Sequence, residues 1–406
     1  MANTQNEEVQ GQIQGQQYYC RIKINDTEIQ SENIIGLTIR EWINELLPRL
    51  ELQLINQGYL LETHPIIDGD IIDVLIAKNK DTEASVSMKF VISDFNLAVQ
   101  SDNRKIILNI SGFLKADNFF APIKTRSFSE KNSKEILQTI VNESGLKFKN
   151  PLNITPTDKM TWYQINKSNY DFIYHVLQRS YMPDDSILFY GNSNNEFVYT
   201  SIKKELNKQD TIIARYNVDK FNQNALSDED IKSIWFASYD LTNVCSFFNR
   251  IVGYGAEYTY VDNTNGTEIS KEYKDDKKIT DYIDRQKSLN GKNVLNSMFG
   301  IYNDLNLYSD KYFESFQKNY YLLTTFMANS LVININSLNT VKLFDKVNLM
   351  LPSLLDNKMS DPYSGLYIVG GITHFVSKGG IYQKMISLNR NGINKAMVKK
   401  LTSLVG

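Results

Sequence analysis

DGDIIDVLIA (68–77), KFVISDFNLAV (89–99) and KIILNISGFL (105–114) follow one another across polar turns, and FDKVNLMLP (344–352), LYIVGGITHFV (366–376) and YQKMISLNR (382–390) repeat the same plan far along the chain. In each set an acidic turn opens an apolar run, a longer run follows, and a short turn returns the chain. Asp68-Gly69-Asp70, Ser101-Asp102-Asn103 and Gly379-Gly380 supply turn chemistry. Identity between the sets is slight, and two unrelated antiparallel barrels can share such a plan, so duplication stands here as an expectation.

Working outward, Cys20, Ile22 and Ile24 alternate with Arg21, Lys23 and Asn25, the period of a half-buried strand. Leu50 to Ile55 and Tyr59 to Leu61 add short runs, and IREWINELLP (39–48) reads as a short helix or a strand and turn closed by Pro48. Several strands within about a hundred residues predict a small antiparallel barrel or sandwich. Beyond Phe119-Phe120 the period turns helical. Ser133 is placed to cap a helix with Ile136, Leu137, Ile140 and Val141 on one face, stopped by Gly145. Ser168 and Asp171 open a second helix carrying Phe172, Ile173, Val176 and Leu177, ended by Pro183. A hairpin over 186–202 completes an α+β unit. Residues 231–261 return to strands, the polar stretch VDNTNGTEISKEYKDDKK reads as a solvated loop, and Phe313, Phe316, Tyr320, Leu323 and Met327 mark one helix face. The fold class expected is mainly β with α+β modules: two similar small antiparallel barrels and two smaller mixed modules.

The 406 residues suit several modules, and 42% hydrophobic with 22% charged residues is a globular composition. Lys plus Arg (44) nearly balance Asp plus Glu (46), and no basic segment tracks a phosphate backbone, which disfavours direct nucleic-acid binding. Residues 1–17 are rich in Gln, Asn and Glu and read as a flexible arm, unlike the charged-then-apolar plan of a secretory leader. No apolar run reaches the length of a membrane-spanning helix. Cys20 and Cys245 lie apart without a CxxC partner and are expected as reduced strand residues.

Catalytic and ligand-binding patterns were sought residue by residue. His64, His175 and His374 are not at metal-ligand spacing, so no metal site is expected. His374 between Thr373 and Phe375, and His64 before Pro65, read as structural; His175 is placed to pair with Asp171 four residues earlier. Gly253 and Gly255 begin a dinucleotide-like spacing without its third glycine or helix and read as a strand turn, and Asp68-Gly69-Asp70 lacks the remaining calcium-loop ligands. Asp184-Asp185 and Asp228-Glu229-Asp230 read mainly as solvated charge, although a glycosidase pair meets only in space. The 24 Tyr and 20 Phe suit subunit interfaces or sugar-stacking platforms, and interfaces are the expectation. No catalytic residue and no cofactor is assigned.

SNYDFIYHVLQRSYMPDD (168–185), leading into ILFYGNSNNEFVYTSI (187–202), resembles the corresponding segment of phage tail hub proteins, a group that includes the T-even baseplate hub, late control D-like proteins and the N-terminal part of VgrG spikes. Ser168, Asp171 and Phe172 hold the positions that open the family's helix. FFAPIKTRSFSEKNSKEILQTIVNESGLKF (119–148) is similar to the family's link from first barrel to helical module, and residues 343–390 to its closing strands. The resemblance implies an arm (1–18), a first tube-type barrel (19–118), an α+β module (119–212), a second barrel (213–250 and 322–392), an inserted module (251–321) and a tail (393–406). It further implies a non-enzymatic homotrimer in the virion tail tip, assembled in host cytoplasm. Its six barrels would match a sixfold tail tube protein ring on one side and a threefold central spike protein on the other. Tape-measure and baseplate wedge proteins are further partners so implied. The family's fused spike or enzyme regions have no counterpart before Gly406, which points to a separate spike. The competing readings are a tail-tip peptidoglycan or polysaccharide hydrolase, which needs a convergent acid pair in an open cleft, and a receptor- or carbohydrate-binding tip module, which needs an exposed aromatic platform.

Overall fold

The computed structural model describes residues 18–56, 61, 65–100, 105–183, 185–208, 210–216, 233–236, 238–243, 255–262, 266–274, 282–283, 294–302, 315, 319, 329–335, 338–351, 363–390 and 393–394. In chain order the first strands are β1 (Tyr19–Ile24), β2 (Thr27–Ile29), β3 (Ile34–Trp42), β4 (Arg49–Ile55), β5 (Ile71–Ala77), β6 (Val86–Gln100) and β7 (Lys105–Leu114). They lie in the order β2-β1-β5-β6-β7-β4-β3, all antiparallel. β2 runs into β3 through the single 3-10 turn Ser31–Asn33, so the two act as one bent strand and close a six-stranded ring. Alternation fills it: Leu50, Leu52 and Leu54 point in while Arg49, Glu51 and Gln53 face out. Over 39–48 the chain forms the end of β3 and a turn, not a helix.

The next unit holds β8 (Lys124–Lys131), α1 (Ser133–Glu143), β9 (Lys147–Lys149), β10 (Met160–Lys167), α2 (Asn169–Arg179), β11 (Ile187–Gly191), β12 (Glu196–Ser201) and α3 (Ile202–Leu206). The α1 cap is Asn132 rather than Ser133: Asn132 Oδ1 accepts the Glu135 amide at 3.0 Å and Glu135 Oε2 accepts the Asn132 amide at 2.9 Å. Ser133 is instead the first helical residue, its amide donating to the buried Asp158. Ser168 caps α2, accepting the Asp171 amide at 3.0 Å. Glu143 clamps the unit. Its carboxylate takes Arg126 Nη1 at 2.5 Å and Lys124 Nζ at 2.7 Å, and Asn169 Nδ2 reaches it at 3.3 Å.

The remaining strands are β13 (Ile212–Tyr216), β14 (Ile234–Phe236), β15 (Ser238–Asn243), β16 (Gly255–Asp262), β17 (Thr267–Lys274), β18 (Tyr282–Ile283), β19 (Val294–Tyr302), β20 (Asn329–Ile335), β21 (Lys346–Met350), β22 (Gly365–Ser377), β23 (Tyr382–Arg390) and β24 (Ile393–Asn394). A second ring runs β14-β13-β21-β22-β23-β20-β15 and closes because β14 and β15 are one position apart. β13 runs parallel to both neighbours; the other pairs of this ring are antiparallel. The stretch expected as a solvated loop instead contains β17, paired with β16 from Gly255↔Lys274 to Asp262↔Thr267. Its polarity had masked a strand whose backbone is satisfied by its neighbour. The helix face over 313–327 lies outside the described residues except for Ser315 and Asn319, both helical and buried.

The two rings share their opening device. Gly69 (φ 92°) donates to Ile92 O at 2.9 Å and Ile92 donates to Asp70 O at 2.8 Å; Phe344 (φ 71°) donates to Val369 O at 2.8 Å and Val369 donates to Asp345 O at 2.9 Å. Asp70 Oδ2 accepts the Ile67 amide at 3.0 Å, as Asp345 Oδ2 accepts the Lys342 amide at 2.8 Å. A bulge then follows in each long strand, between Ile92 and Asp94 in β6 and between Val369 and Gly371 in β22. Repeated strand order, turn bonding and bulge position establish the likeness of the two rings that slight sequence identity left open.

Beyond its bulge β22 leaves β21 and pairs with β3, from Gly371↔Trp42 to Ser377↔Gly36, so one sheet joins the rings. Val376 and Tyr382 belong to the first ring's core, whereas Val369, Ile372, Ile386 and Leu388 belong to the second's. The change of partner needs glycine. A Cβ on Gly370 would lie 1.8 Å from Asn389 Nδ2, and one on Gly371 would lie 3.0 Å from the Trp42 ring. Asn389 is fully buried and has no room to turn aside.

Gly370→Ala is therefore expected to lower stability by about 1–3 kcal/mol in denaturant titration, while Gly36→Ala, whose Cβ meets nothing closer than 3.7 Å, stays near wild type. Burial pushes the Glu143 carboxyl up, but Arg126 and Lys124 outweigh it and hold the pKa at about 2. This depressed value means the clamp's contribution is complete above the ordinary carboxylate range and is lost as pH falls from about 4.3 toward 2. Stability of Glu143→Gln should fall less steeply across that window.

Candidate functional site

Where the first ring, the second ring and the β11–β12 turn meet, a crevice of about 700 Å³ is walled by Glu41, Ser193, Asn339, Asp345, His374 and Lys384, among others. Alternation along three strands aims these polar groups inward: Glu41 follows Leu37 and Ile39 in β3, His374 lies between Ile372 and Val376 in β22, and Lys384 between Tyr382 and Ile386 in β23. His374 Nδ1 lies 2.7 Å from Tyr382 Oη and its Nε2 3.1 Å from Glu41 Oε1. Burial holds the imidazole below its usual pKa against the pull of Glu41. A neutral ring that accepts from Tyr382 and donates from Nε2 to Glu41 satisfies both contacts. Glu41 Oε2 also accepts the Ser193 amide at 2.7 Å, tying the α+β unit to both rings.

Lys384 Nζ donates to Asn339 O (3.2 Å), Asn339 Oδ1 (2.8 Å) and Val341 O (3.0 Å), and burial brings its pKa down to about 8. The other carboxylates of the crevice hold chain segments as well. Glu205 accepts Thr200 Oγ1 at 2.6 Å and meets Lys208, Glu196 meets Lys149, and Asp345 accepts the Lys342 amide while burial raises its pKa. This chemistry fastens three segments together, and each lining acid has a structural partner.

A second groove, of about 420 Å³, is lined by Met160, Trp162, Tyr163, Ile165, Lys167 and His175 with Arg179. His175 does not pair with Asp171. Its Nδ1 lies 2.7 Å from Arg179 Nη1, its ring stacks on Phe172, and burial followed by the Arg179 charge holds its pKa at about 3. Asp171 is engaged by the Ser168 hydroxyl at 2.6 Å, which leaves the histidine to the cation one turn onward.

Asp185, expected as solvated charge, is buried: it accepts the amides of Ser186 (2.7 Å) and Lys203 (3.0 Å) and the Ser201 hydroxyl, and so anchors the start of α3. Cys20 is a half-buried free thiol in β1 whose pKa burial pushes up to about 12. Asp68-Gly69-Asp70 forms the turn opening β5, and Gly255 begins β16. His64, Asp184, Asp228-Glu229-Asp230, Cys245 and Gly253 lie outside the described residues. Among the described residues no group of three or more His, Cys, Asp or Glu is placed to hold a metal ion, and no helix is long and apolar enough to cross a membrane. Glu41 and Lys384 were missed as buried polar positions, though each stands at an inward place in a period-two run.

Two strand edges are also left open. β5 pairs β6 only as far as Val91, so among the described residues the outer edge of β6 from Asp94 onward meets no strand, and β15 pairs only β20. Large apolar side chains sit at these edges: Leu97 is 51% exposed and Leu241 41%. An unpaired edge with apolar side chains is a surface built to be covered.

No sequence-family model and no curated protein matches the chain. Among solved structures, the tail protein from Neisseria meningitidis MC58 aligns with a TM-score of 0.58 at 10% identity, covering 93% of this chain and 98% of that one. The 43 kDa tail protein of prophage MuSo2 from Shewanella oneidensis gives a TM-score of 0.58 at 9% identity, covering 93% and 100%. The chain thus has the tail-protein fold along nearly its whole length, and the resemblance seen in its sequence holds at the level of fold.

Lys384 supplies a test of the crevice. Its pKa, lowered from an ordinary value of 10.5 to about 8, means the unfolded chain binds the extra proton between those values, so wild-type stability gains from this group as pH rises from 8 to 10.5. In Lys384→Met that increment should vanish from the difference between the two pH profiles measured by urea unfolding.

Proposed function

We propose that this protein is a structural hub of a phage or phage-like tail tip, working as a homotrimer that adapts a sixfold tail tube to a threefold spike and encloses the lumen. The observation that carries this reading is the internal repetition: one chain holds two closed six-stranded rings of one strand order, opened by the same turn bonding and bulged at the same place. Three such chains present six similar barrels. A sixfold ring then meets a near-sixfold surface, while the units that differ between the two halves leave the true symmetry threefold for a spike. The tail-protein fold shared with the Neisseria and MuSo2 proteins supports the same setting.

The mechanism is assembly by shape and edge pairing, without bond-making chemistry. Glu41, His374, Tyr382 and Lys384 serve in it as fasteners that set the angle between the barrels of one chain, an angle any ring of six must repeat. Partners in this reading are a second and third copy, the tail tube ring and a central spike, with tape-measure and wedge proteins beyond them; the setting is the virion tail tip.

Light scattering of the purified protein is expected to give three chains of 46.8 kDa, about 140 kDa, and negative-stain class averages should show six lobes about a central hole. A chain that remains monomeric at all concentrations, alone and with candidate spike protein, overturns the reading.

A further inference from the structure

We infer that the trimer, on the reading just given, is closed by a strand pairing between chains that copies the joint within each chain: the free edge of β6 (Asp94–Gln100) pairs antiparallel with the free edge of β15 (Ser238–Asn243) of a second copy.

The inference follows from matching the two rings position by position. Equating the turns places Ile92 on Val369 and, after the shared bulge, Asp94 on Gly371, because Asp94 pairs Ser111 as Gly371 pairs Ser387. Leu97 then falls on His374. On the other side of the ring β4 matches β20, since Leu52 pairs Ile110 as Ile333 pairs Ile386. β3 therefore matches β15, with Leu37 paired to Leu52 as Tyr239 is to Ile333, and Ile39 paired to Leu50 as Leu241 is to Leu331.

Within one chain the bulge-distal half of β22 lies against β3, with His374 opposite Ile39 and Ser377 opposite Gly36. The equivalent half of β6 and the equivalent strand β15 have no such partner among the described residues. Exposure follows the difference. His374 and Ile39 are 5% and 0% exposed beneath the joint, whereas their counterparts Leu97 and Leu241 are open. Two large apolar residues exposed where their internal equivalents are buried identify the missing cover as a second copy of the same pair of edges.

The register carries over as well. Leu97 of one chain comes to lie opposite Leu241 of the next, and Gln100 opposite Ser238. Each chain then contributes one internal joint and one external joint of the same kind, a head-to-tail contact whose repetition closes a ring of six barrels with three chains. Directly opposed residues of antiparallel strands have Cβ atoms about 4.5–5.5 Å apart, within slight adjustment of disulfide reach.

The test is a cysteine pair, Leu97→Cys with Leu241→Cys, in a full-length chain carrying Cys20→Ser and Cys245→Ser. After mild oxidation and denaturing electrophoresis without reductant, the double variant is expected to run as covalent dimer and closed trimer. A mixture of the two single variants should give dimer only, and each single variant alone none. A second variant, Leu97→Arg, changes a side chain that is exposed in the single chain, so it should keep the wild-type melting temperature while the mass in solution drops to that of one chain. A trimer by light scattering that forms no cross-link, or that survives Leu97→Arg, overturns the pairing and leaves the hub reading standing. A cross-link confined within single chains overturns the pairing too. A parent chain that never trimerises overturns both.

Discussion

Antiparallel pairing along β22 is the constraint on which the rest of the molecule depends. One strand serves two rings because its outer edge changes partner, from β21 to β3, at Gly370 and Gly371. A strand edge offers one set of donors and acceptors at each residue, so two neighbours can occupy it only in succession. The bulge turns the strand at the point of exchange, and the absence of two side chains lets Asn389 and Trp42 close over it. The angle between the rings is therefore set by backbone geometry and locked by the buried bonds among Glu41, His374, Tyr382 and Ser193.

The places where the two rings differ follow from chain connectivity. β1 reaches β2 through Asn25 and Asp26, and so short a link permits only an antiparallel hairpin. β13 reaches β14 over a long connection, which allows a parallel pair and a reversed strand in the same position of the ring. The residue at the opening turn differs as well. Gly69 takes a positive φ without steric cost, whereas Phe344 takes it with strain that burial of the ring in the second core offsets.

Polar groups in this fold hold parts together. Glu143 joins β8 to the two helices, Asp185 anchors α3, and the crevice network joins both rings to the β11–β12 turn. Satisfied networks of this kind specify one arrangement of modules, because any other leaves buried charge without partners. A tail component under mechanical load has use for that uniqueness, and the exposed apolar edges of β6 and β15 lie on the same sheet that the network stiffens.

Local signals in the sequence determined a good deal. The period-two runs marked most ring strands, the Ser168–Asp171 pair marked α2, and the matching plans of 68–114 and 344–390 exposed the repetition, because each rests on contacts between near neighbours or on a simple alternation. Other features were decided only in three dimensions. β17 became a strand because β16 satisfied its backbone, His175 chose Arg179 because Asp171 was already held by Ser168, and Asp185 was buried by α3. Glu41, His374 and Lys384 come from residues hundreds of positions apart, so no local pattern foretold their meeting. The sequence by itself determined which segments are strands and helices, since that depends on spacing within a segment. Only the tertiary structure decided which edges pair and which stay open, since pairing depends on how distant strands compete for the same backbone donors and acceptors.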